Sequence, residues 1–389
     1  MTTLETQTAR ALTDEEIFAA HEGGKLSIAS ARPLGTMRDL SLAYTPGVAT
    51  VCQAIAEEPA VARTHTGIGD TVAIISDGSA VLGLGDIGPQ ASLPVMEGKA
   101  QLFSSFAGLK AVPLVLDVRD VDELVDTIAA LAPSFGGINL EDISAPRCFE
   151  VERKLIERLN IPVMHDDQHG TAVVILAALR NAVALLQREL AELRIVISGA
   201  GAAGVAAVDM LLDAGARDIV VLDSRGVIHA DRGDLTPVKQ ELAAKTNPRG
   251  VTGGVNEAFT GADTFIGVSG GSIGEEALKL MAPEPILFTL ANPTPEIDPG
   301  LSRRYGAIVA TGRSDLPNQI NNVLAFPGIF HGALAANATA ITPEMKLAAS
   351  RAIAEIAAED LDAGRIVPSP LDPRVAPAVS AAVQAAAQG

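Results

Sequence analysis

The chain has 389 residues, of which 48% are hydrophobic, 3% aromatic and none tryptophan, and its formal net charge is -18. That length exceeds what one hydrophobic core serves, so two domains are expected. The negative charge, with no Lys/Arg-rich run to offset it, excludes nucleic acid and anionic membrane surfaces as partners.

The apolar content comes mostly from Ala, Val, Ile and Leu, which suits buried strands covered by helices and points to an α/β protein. Residues 1–10 are polar, without the apolar core of a signal peptide, and no uninterrupted apolar stretch reaches membrane-spanning length. A cytoplasmic protein is expected. Cys52 and Cys148 lack paired spacing, so reduced thiols are expected rather than a disulfide framework or a zinc site.

Thr13 followed by Glu16 reads as a capping box opening a short helix, after which Pro33, Gly35, Pro46 and Gly47 keep the segment an irregular carrier of loops. Residues 71–76 and 80–84 are apolar runs separated by Asp77-Gly78, the signal of a β-hairpin. A helix is expected to start near Pro94. Strand and helix patterns then alternate: a strand at 112–116, a helix from Val121, a strand at 137–140, a helix from Ala145 and a strand at 161–164, which implies a parallel sheet. Residues 171–186 read as an apolar helix. A second series takes strands at 193–198, 219–222, 264–268, 286–290 and 307–310. The boundary is expected between residues 165 and 190, giving an N-terminal α/β domain over 1–168 and a C-terminal dinucleotide-binding domain of Rossmann type over 169–389. The Ala-rich end, 375–389, reads as a peripheral helix or frayed tail.

Gly199-Ala200-Gly201-Ala202-Ala203-Gly204 follows a predicted strand and opens a predicted helix, and Asp223 ends the next strand. In that context the glycines allow a tight turn and let backbone N–H groups approach a pyrophosphate at a helix N-terminus. Asp223 is expected to accept the adenosine ribose hydroxyls and to favour NAD. Arg225, if turned inward, would pair with the 2′-phosphate of NADP, and the spacing leaves the two cofactors open.

Glu141-Asp142 close one predicted strand, and His165-Asp166-Asp167-Gln168-His169 close the next. Carboxylates converging on one sheet edge repel one another unless a divalent cation joins them, and oxygen ligands of this kind favour Mg²⁺ or Mn²⁺. Spacing alone leaves metal ligation and helix capping both open. His165 and His169 are expected to serve as supports or at a helix start.

With these residues in view the chain resembles the malic enzyme family, in its short prokaryotic form. The matching segments are Tyr44-Thr45-Pro46-Gly47-Val48-Ala49; Leu82-Gly83-Leu84-Gly85-Asp86-Ile87-Gly88 with Lys99 downstream; Leu140-Glu141-Asp142; His165 through Ala172; the glycine fingerprint; Asn292-Pro293-Thr294; and Asn321-Asn322 before Phe326-Pro327-Gly328. The resemblance implies an enzyme that oxidises malate with NAD or NADP and releases carbon dioxide and pyruvate. It implies Glu141, Asp142 and Asp167 as ligands of Mg²⁺ or Mn²⁺ with Asp166 beside them, and Tyr44 and Lys99 as the acid/base pair. Asn292 and one or both of Asn321 and Asn322 would reach the substrate and the nicotinamide ribose, with Pro293 and Phe326 as scaffold. Larger family members carry an Arg where this chain has Ala80, so the substrate carboxylate needs another partner. The chain is also expected to lack the allosteric segments of the larger forms and the acyltransferase-like domain appended to some bacterial ones.

Lys99, placed near a helix N-terminus and by resemblance near a metal, is expected as a neutral amine able to take the malate C2 hydroxyl proton, with Tyr44 protonating C3. Without the resemblance, a solvated helix lysine and a packed loop tyrosine describe the two as well. A malolactic relative that retains its cofactor and makes lactate shares the same motifs; a dinucleotide sensor without activity would have lost Tyr44, Lys99 or an acidic ligand, and all are present. A homodimer is expected, in which the arm carrying Tyr44 packs near a neighbour's cleft.

Overall fold

The computed structural model describes residues 12–81 and 83–388, and its strands form two sheets. β1 (Thr71–Ser76), β2 (Lys110–Val115), β3 (Gly137–Leu140) and β4 (Val163–His165) make the first, in the order β2-β1-β3-β4 with every pair parallel. The second contains β5 (Arg194–Ser198), β6 (Asp218–Asp223), the short β7 (Gly226–Val227), β8 (Thr264–Gly267), β9 (Ile286–Thr289) and β10 (Ile308–Thr311). Its order is β10-β9-β8-β5-β6-β7, parallel except for β7, which runs antiparallel to β6.

Each sheet reverses its strand order beside its first strand, the place where α/β proteins leave a crevice at the carboxyl ends. In the first sheet Ile75 lies opposite Leu140 and Leu140 opposite His165, so the residues that follow these strands emerge side by side.

An arm of α1 (Asp14–His21), α2 (Met37–Ala43) and α3 (Val48–Glu57) precedes the sheet and contains no buried residue. The capping box expected at Thr13 and Glu16 is formed. After the short α4 (Ala62–His65), helices α5 (Pro89–Ala107), α6 (Val121–Leu131) and α7 (Arg147–Arg158) cover the first sheet. α8 (Asp166–Leu185) and α9 (Ala202–Asp213) lie between the sheets. α10 (Pro237–Lys245), α11 (Val255–Phe259), α12 (Glu275–Leu278) and α13 (Pro299–Tyr305) belong to the second, and α14 (Phe326–Ala335), α15 (Pro343–Ala358) and α16 (Val375–Ala387) form a terminal helical layer.

α8 is the helix on which both halves rest. Val173, Val174 and Ile175 are weak helix formers, costing a few tenths of a kcal/mol each, but burying such side chains returns roughly 1.5–3 kcal/mol apiece. The same core joins Val72 and Ile74 of the first sheet to Ile195 and Ile197 of the second. By length and composition α8 could cross a membrane; here 72% of its apolar stretch is buried inside the fold.

The alternating parallel architecture agrees with the sequence reading, and four details differ. No hairpin follows β1: both of its edges are taken by β2 and β3, while Asp77 accepts the Ser79 N–H at 3.1 Å and turns the chain away. Only an isolated bridge, Val81 to Gly85, remains of the second run, and Leu82 lies outside the described residues. α5 starts at Pro89, a position where the missing N–H costs nothing, and carries Pro94 inside it. α8 starts at Asp166 rather than 171, its first turn favoured by two carboxylates at the positive helix end. The tail is neither frayed nor peripheral: Val379 and Val383 of α16 are buried against Gly328 and Gly332 of α14.

Candidate active site

β3 runs into Glu141 and Asp142, and β4 runs into the first turn of α8, which carries Asp166 and Asp167. Carboxylate oxygens of Glu141, Asp142 and Asp167 lie within 4.8 Å of one another. Asp142 adopts a left-handed backbone, φ 53°, a strained choice for a residue with a Cβ. In that conformation its N–H donates to Asp167 Oδ2 at 2.8 Å and its carbonyl accepts the Ala80 N–H at 3.0 Å. Buried Asn139 donates to Glu141 Oε2 at 2.9 Å. Gly170 is required by close approach, because a Cβ there would collide with Asp166 Oδ1.

Lys99 enters this cluster from the middle of α5 and is 6% exposed. Its Nζ lies 2.8 Å from Glu141 Oε1, donates to Asp166 Oδ2, and stands 4.0 Å from the centroid of the Phe326 ring. Phe326, expected as scaffold, does pack on Phe103 at 4.8 Å between centroids, and in addition presents its face to the ammonium. Lys99 lies in the middle of α5 and not near a helix N-terminus, which corrects that part of the expectation. With no cation bound, burial works to discharge Lys99, but Asp166, Glu141 and Asp167 outweigh it and hold the amine above its usual range.

The acids are displaced as well. Burial, then repulsion from Asp167 and Glu141, raises the Asp142 carboxyl, and burial raises Glu141 in spite of the attraction of Lys99. Asp166 is raised by burial, with Lys99 opposing. One ammonium thus faces four carboxyl groups, and Asp142 Oδ2 is buried with no partner among the described residues. An all-oxygen set with spare negative charge and an unmet oxygen fits a hard divalent cation such as Mg²⁺ or Mn²⁺. His165 is the N-cap residue of α8, fully buried, its Nδ1 3.7 Å from Asp167 Oδ2.

A cavity of about 440 Å³ opens beside Asp142 and Asp167 and reaches Ala202 and Ala203 at the start of α9, with Ser144, Thr171 and Asn292 on its walls. A second, also about 440 Å³, shares Ala145, Val268, Ser269 and Gly270 with it and continues along Gly199-Ala200-Gly201 to Asp223. The glycine loop therefore leads from the carboxylate cluster to the end of β6. Gly204 lets α9 close on β5, since a Cβ there would strike the Gly199 carbonyl.

Asp223 is already engaged. It accepts Arg232 Nη1 at 2.9 Å and Nη2 at 3.1 Å, Lys239 Nζ at 2.6 Å and the Arg225 N–H at 2.9 Å. Burial works against its charge, but the hydrogen bonds from Arg232 and Lys239 prevail and hold it down at about 2. The Arg225 guanidinium is exposed and paired with Asp234 at 2.8 Å.

The other candidates are spread. Asn292 is exposed on the cavity wall. Asn321 caps the turn Asn322–Leu324 through the Val323 N–H at 3.0 Å, and Asn322 stands beside Asp166 over Gly170. Tyr44 ends α2, is 68% exposed, and does not line the cavity in its own chain. Sequence reading missed Arg232, Lys239, Asn139 and Glu296. The last, 2% exposed, accepts the N–H groups of Ser269 and Ala291 at 3.2 Å each and ties two cavity loops together. All but Asn139 act across loops with no local spacing to reveal them.

Comparison with known proteins accords with this arrangement. The N-terminal domain of malic enzyme matches residues 23–156, and the NAD-binding domain of malic enzyme matches residues 168–302 and 304–388. The chain belongs to the malic enzyme family. It is 53% identical to an NAD-dependent malic enzyme of Geobacillus stearothermophilus over 96% of this chain and 78% of that protein. It is 49% identical to an NADP-dependent malic enzyme of Halomonas elongata over 94% of this chain and 90% of that one. The crystal structure of an NAD-dependent malic enzyme from Thermotoga maritima superposes with a TM-score of 0.92 at 46% identity, covering 96% of this chain and 99% of that one. In this family member Ala80 puts a methyl on the cavity wall, and no arginine or lysine lines the cavity among the described residues.

Proposed function

We propose that the chain catalyses the divalent-metal-dependent oxidative decarboxylation of (S)-malate to pyruvate and carbon dioxide, with NAD or NADP as the oxidant. The observation that carries the reading is the buried Lys99 held by Glu141 and Asp166 behind a carboxylate cluster whose Asp142 and Asp167 line a cavity leading to the glycine loop. Glu141, Asp142 and Asp167 would hold the cation, and the Gly199–Gly204 loop the dinucleotide. When bound, the cation supplies Lewis acidity at the malate C2 oxygen and the nicotinamide ring accepts a hydride.

The chain's own residues do the rest. Lys99 is placed to exchange the C2 hydroxyl proton, and Asp166, which already accepts its N–H, is placed to take up that proton in turn. Asn292 on the cavity wall and Asn322 beside Asp166 orient the substrate. Tyr44 delivers the proton to C3.

Residues 1–168 thus supply acid/base groups and metal ligands, and residues 169–389 the dinucleotide site, with α8 common to both cores. Because Tyr44 is exposed on an arm with Leu34, Met37 and Leu42 also uncovered, the active unit is a homodimer in which the arm closes over a neighbour's cleft. Free Cys52 and Cys148 suit a reducing cytoplasm. The test is malate oxidation scanned over NAD and NADP with Mg²⁺ and Mn²⁺. Pyruvate and free reduced dinucleotide are expected in equal amounts, and full turnover after exhaustive chelation overturns the metal assignment.

A further inference from the structure

Behind the carboxylates lies a polar chain that the proposed reaction does not use. Glu152 of α7 is 6% exposed and aims its carboxylate at the start of α8. Its Oε1 accepts the His165 backbone N–H at 2.7 Å, and its Oε2 accepts Gln168 Nε2 at 3.2 Å and His169 Nε2 at 3.0 Å. On the far side of the same imidazole, Lys346 of α15 lies with Nζ 3.1 Å from Nδ1. An ammonium can only donate, so His169 accepts at Nδ1 and donates through Nε2, its tautomer set from both sides.

A carboxylate this deep is tolerated only when donors meet its lone pairs. Here all three donors come from positions 165–169, flanking Asp166 and Asp167 on both sides. Movement of that turn would break several charge-assisted hydrogen bonds together. It would also shift Asp166 from Lys99 and Asp167 from the Asp142 N–H, which it accepts at 2.8 Å.

We propose that Glu152 is the positioning residue of the metal site: it grips the first turn of α8 from behind, and Lys346, reaching from the terminal helical layer, holds His169 in the tautomer that completes the grip. The inference rests on the metal reading above. It makes cation affinity depend on a contact between α7, α8 and α15 whose residues Glu152, His169 and Lys346 line neither of the two cavities.

The test measures Mn²⁺ binding to the full-length protein, without malate or dinucleotide, by the electron paramagnetic resonance signal of free Mn²⁺. Glu152→Gln should bind about 10–100-fold more weakly, the scale for losing a support of metal ligands, while dinucleotide affinity, read by calorimetry, stays unchanged. Lys346→Met should fall in the same direction and Lys346→Arg should recover most of the loss. A folded Glu152→Gln protein with wild-type Mn²⁺ affinity overturns the inference alone. Equal Mn²⁺ affinity in wild type and Asp142→Asn overturns the metal reading, and this inference with it. Should Glu152→Gln fail to fold, nitrogen-15 NMR of the wild-type histidines decides: a proton on Nε2 of His169 supports the grip, and one on Nδ1 overturns it.

Discussion

Replacing Asp142 by asparagine should remove a pH-dependent loss of stability from the metal-free protein. Burial and the neighbouring Asp167 and Glu141 raise the Asp142 carboxyl to about 9 in the folded state, whereas in the unfolded chain it titrates near about 3.9. Between those two values the folded protein holds a proton that the unfolded chain has released, so stability falls as pH rises. The loss is about 1.4 kcal/mol per pH unit for each proton retained, or nearly 3 kcal/mol from pH 5 to pH 7. Glu141, raised by burial, contributes a second share over the same window. Asp166, raised by burial, adds to it at the acid end. Asparagine keeps the shape and has nothing to release, so Asp142→Asn should lose about 1.4 kcal/mol per pH unit of the slope. Urea unfolding at pH 5, 6 and 7 in the presence of a chelator measures it. Saturating Mn²⁺ should flatten the wild-type profile and leave the variant's unchanged. Parallel wild-type and Asp142→Asn profiles without metal would refute the reasoning, because the carboxylate would then carry no elevated proton.

Lys99→Ala should lower kcat at least about a hundredfold, the scale for a lost acid/base group, while dinucleotide affinity by calorimetry stays near wild type; near-normal turnover would return Lys99 to a structural role. Lys239→Ala should raise KM for NADP about tenfold or more and change KM for NAD much less. Arg225, Arg232 and Lys239 surround Asp223 with more positive than negative charge, and a charge-assisted bond to a 2′-phosphate is worth about 1.5–3 kcal/mol. Equal effects on both cofactors would count against a phosphate subsite there. Mixing inactive Tyr44→Phe and Lys99→Ala proteins under subunit exchange should restore activity, since one site of a mixed dimer would be intact. Persistent inactivity after demonstrated exchange would reject a site shared between chains.

The strands were legible because they are short continuous apolar runs between turn signals. The reading placed β3 over 137–140 and came within two residues of the start of β4, and the glycine loop stood out through its spacing between a predicted strand and a predicted helix. What failed depended on contacts distant in sequence. The run after Asp77-Gly78 has hairpin chemistry, but β1 had no free edge to offer it. The charge of Lys99 is set by Glu141 and Asp166, brought to it by two other strands, so its helix position was a poor guide. Asp223 read as a free acceptor because nothing in its own strand announces Arg232 and Lys239. The terminal Ala-rich segment read as a peripheral helix or frayed tail because Ala and Val show no strong period, yet two glycines of α14 admit its valines closely.

The most direct measurement incubates the protein with malate, NAD or NADP and Mn²⁺, and follows reduced dinucleotide, pyruvate and lactate together. Reduced dinucleotide and pyruvate should appear in equal amounts, cease on chelation and return with added Mn²⁺, and stay absent in Asp142→Asn. Lactate without free reduced dinucleotide, or turnover indifferent to chelation, would contradict the proposed reaction.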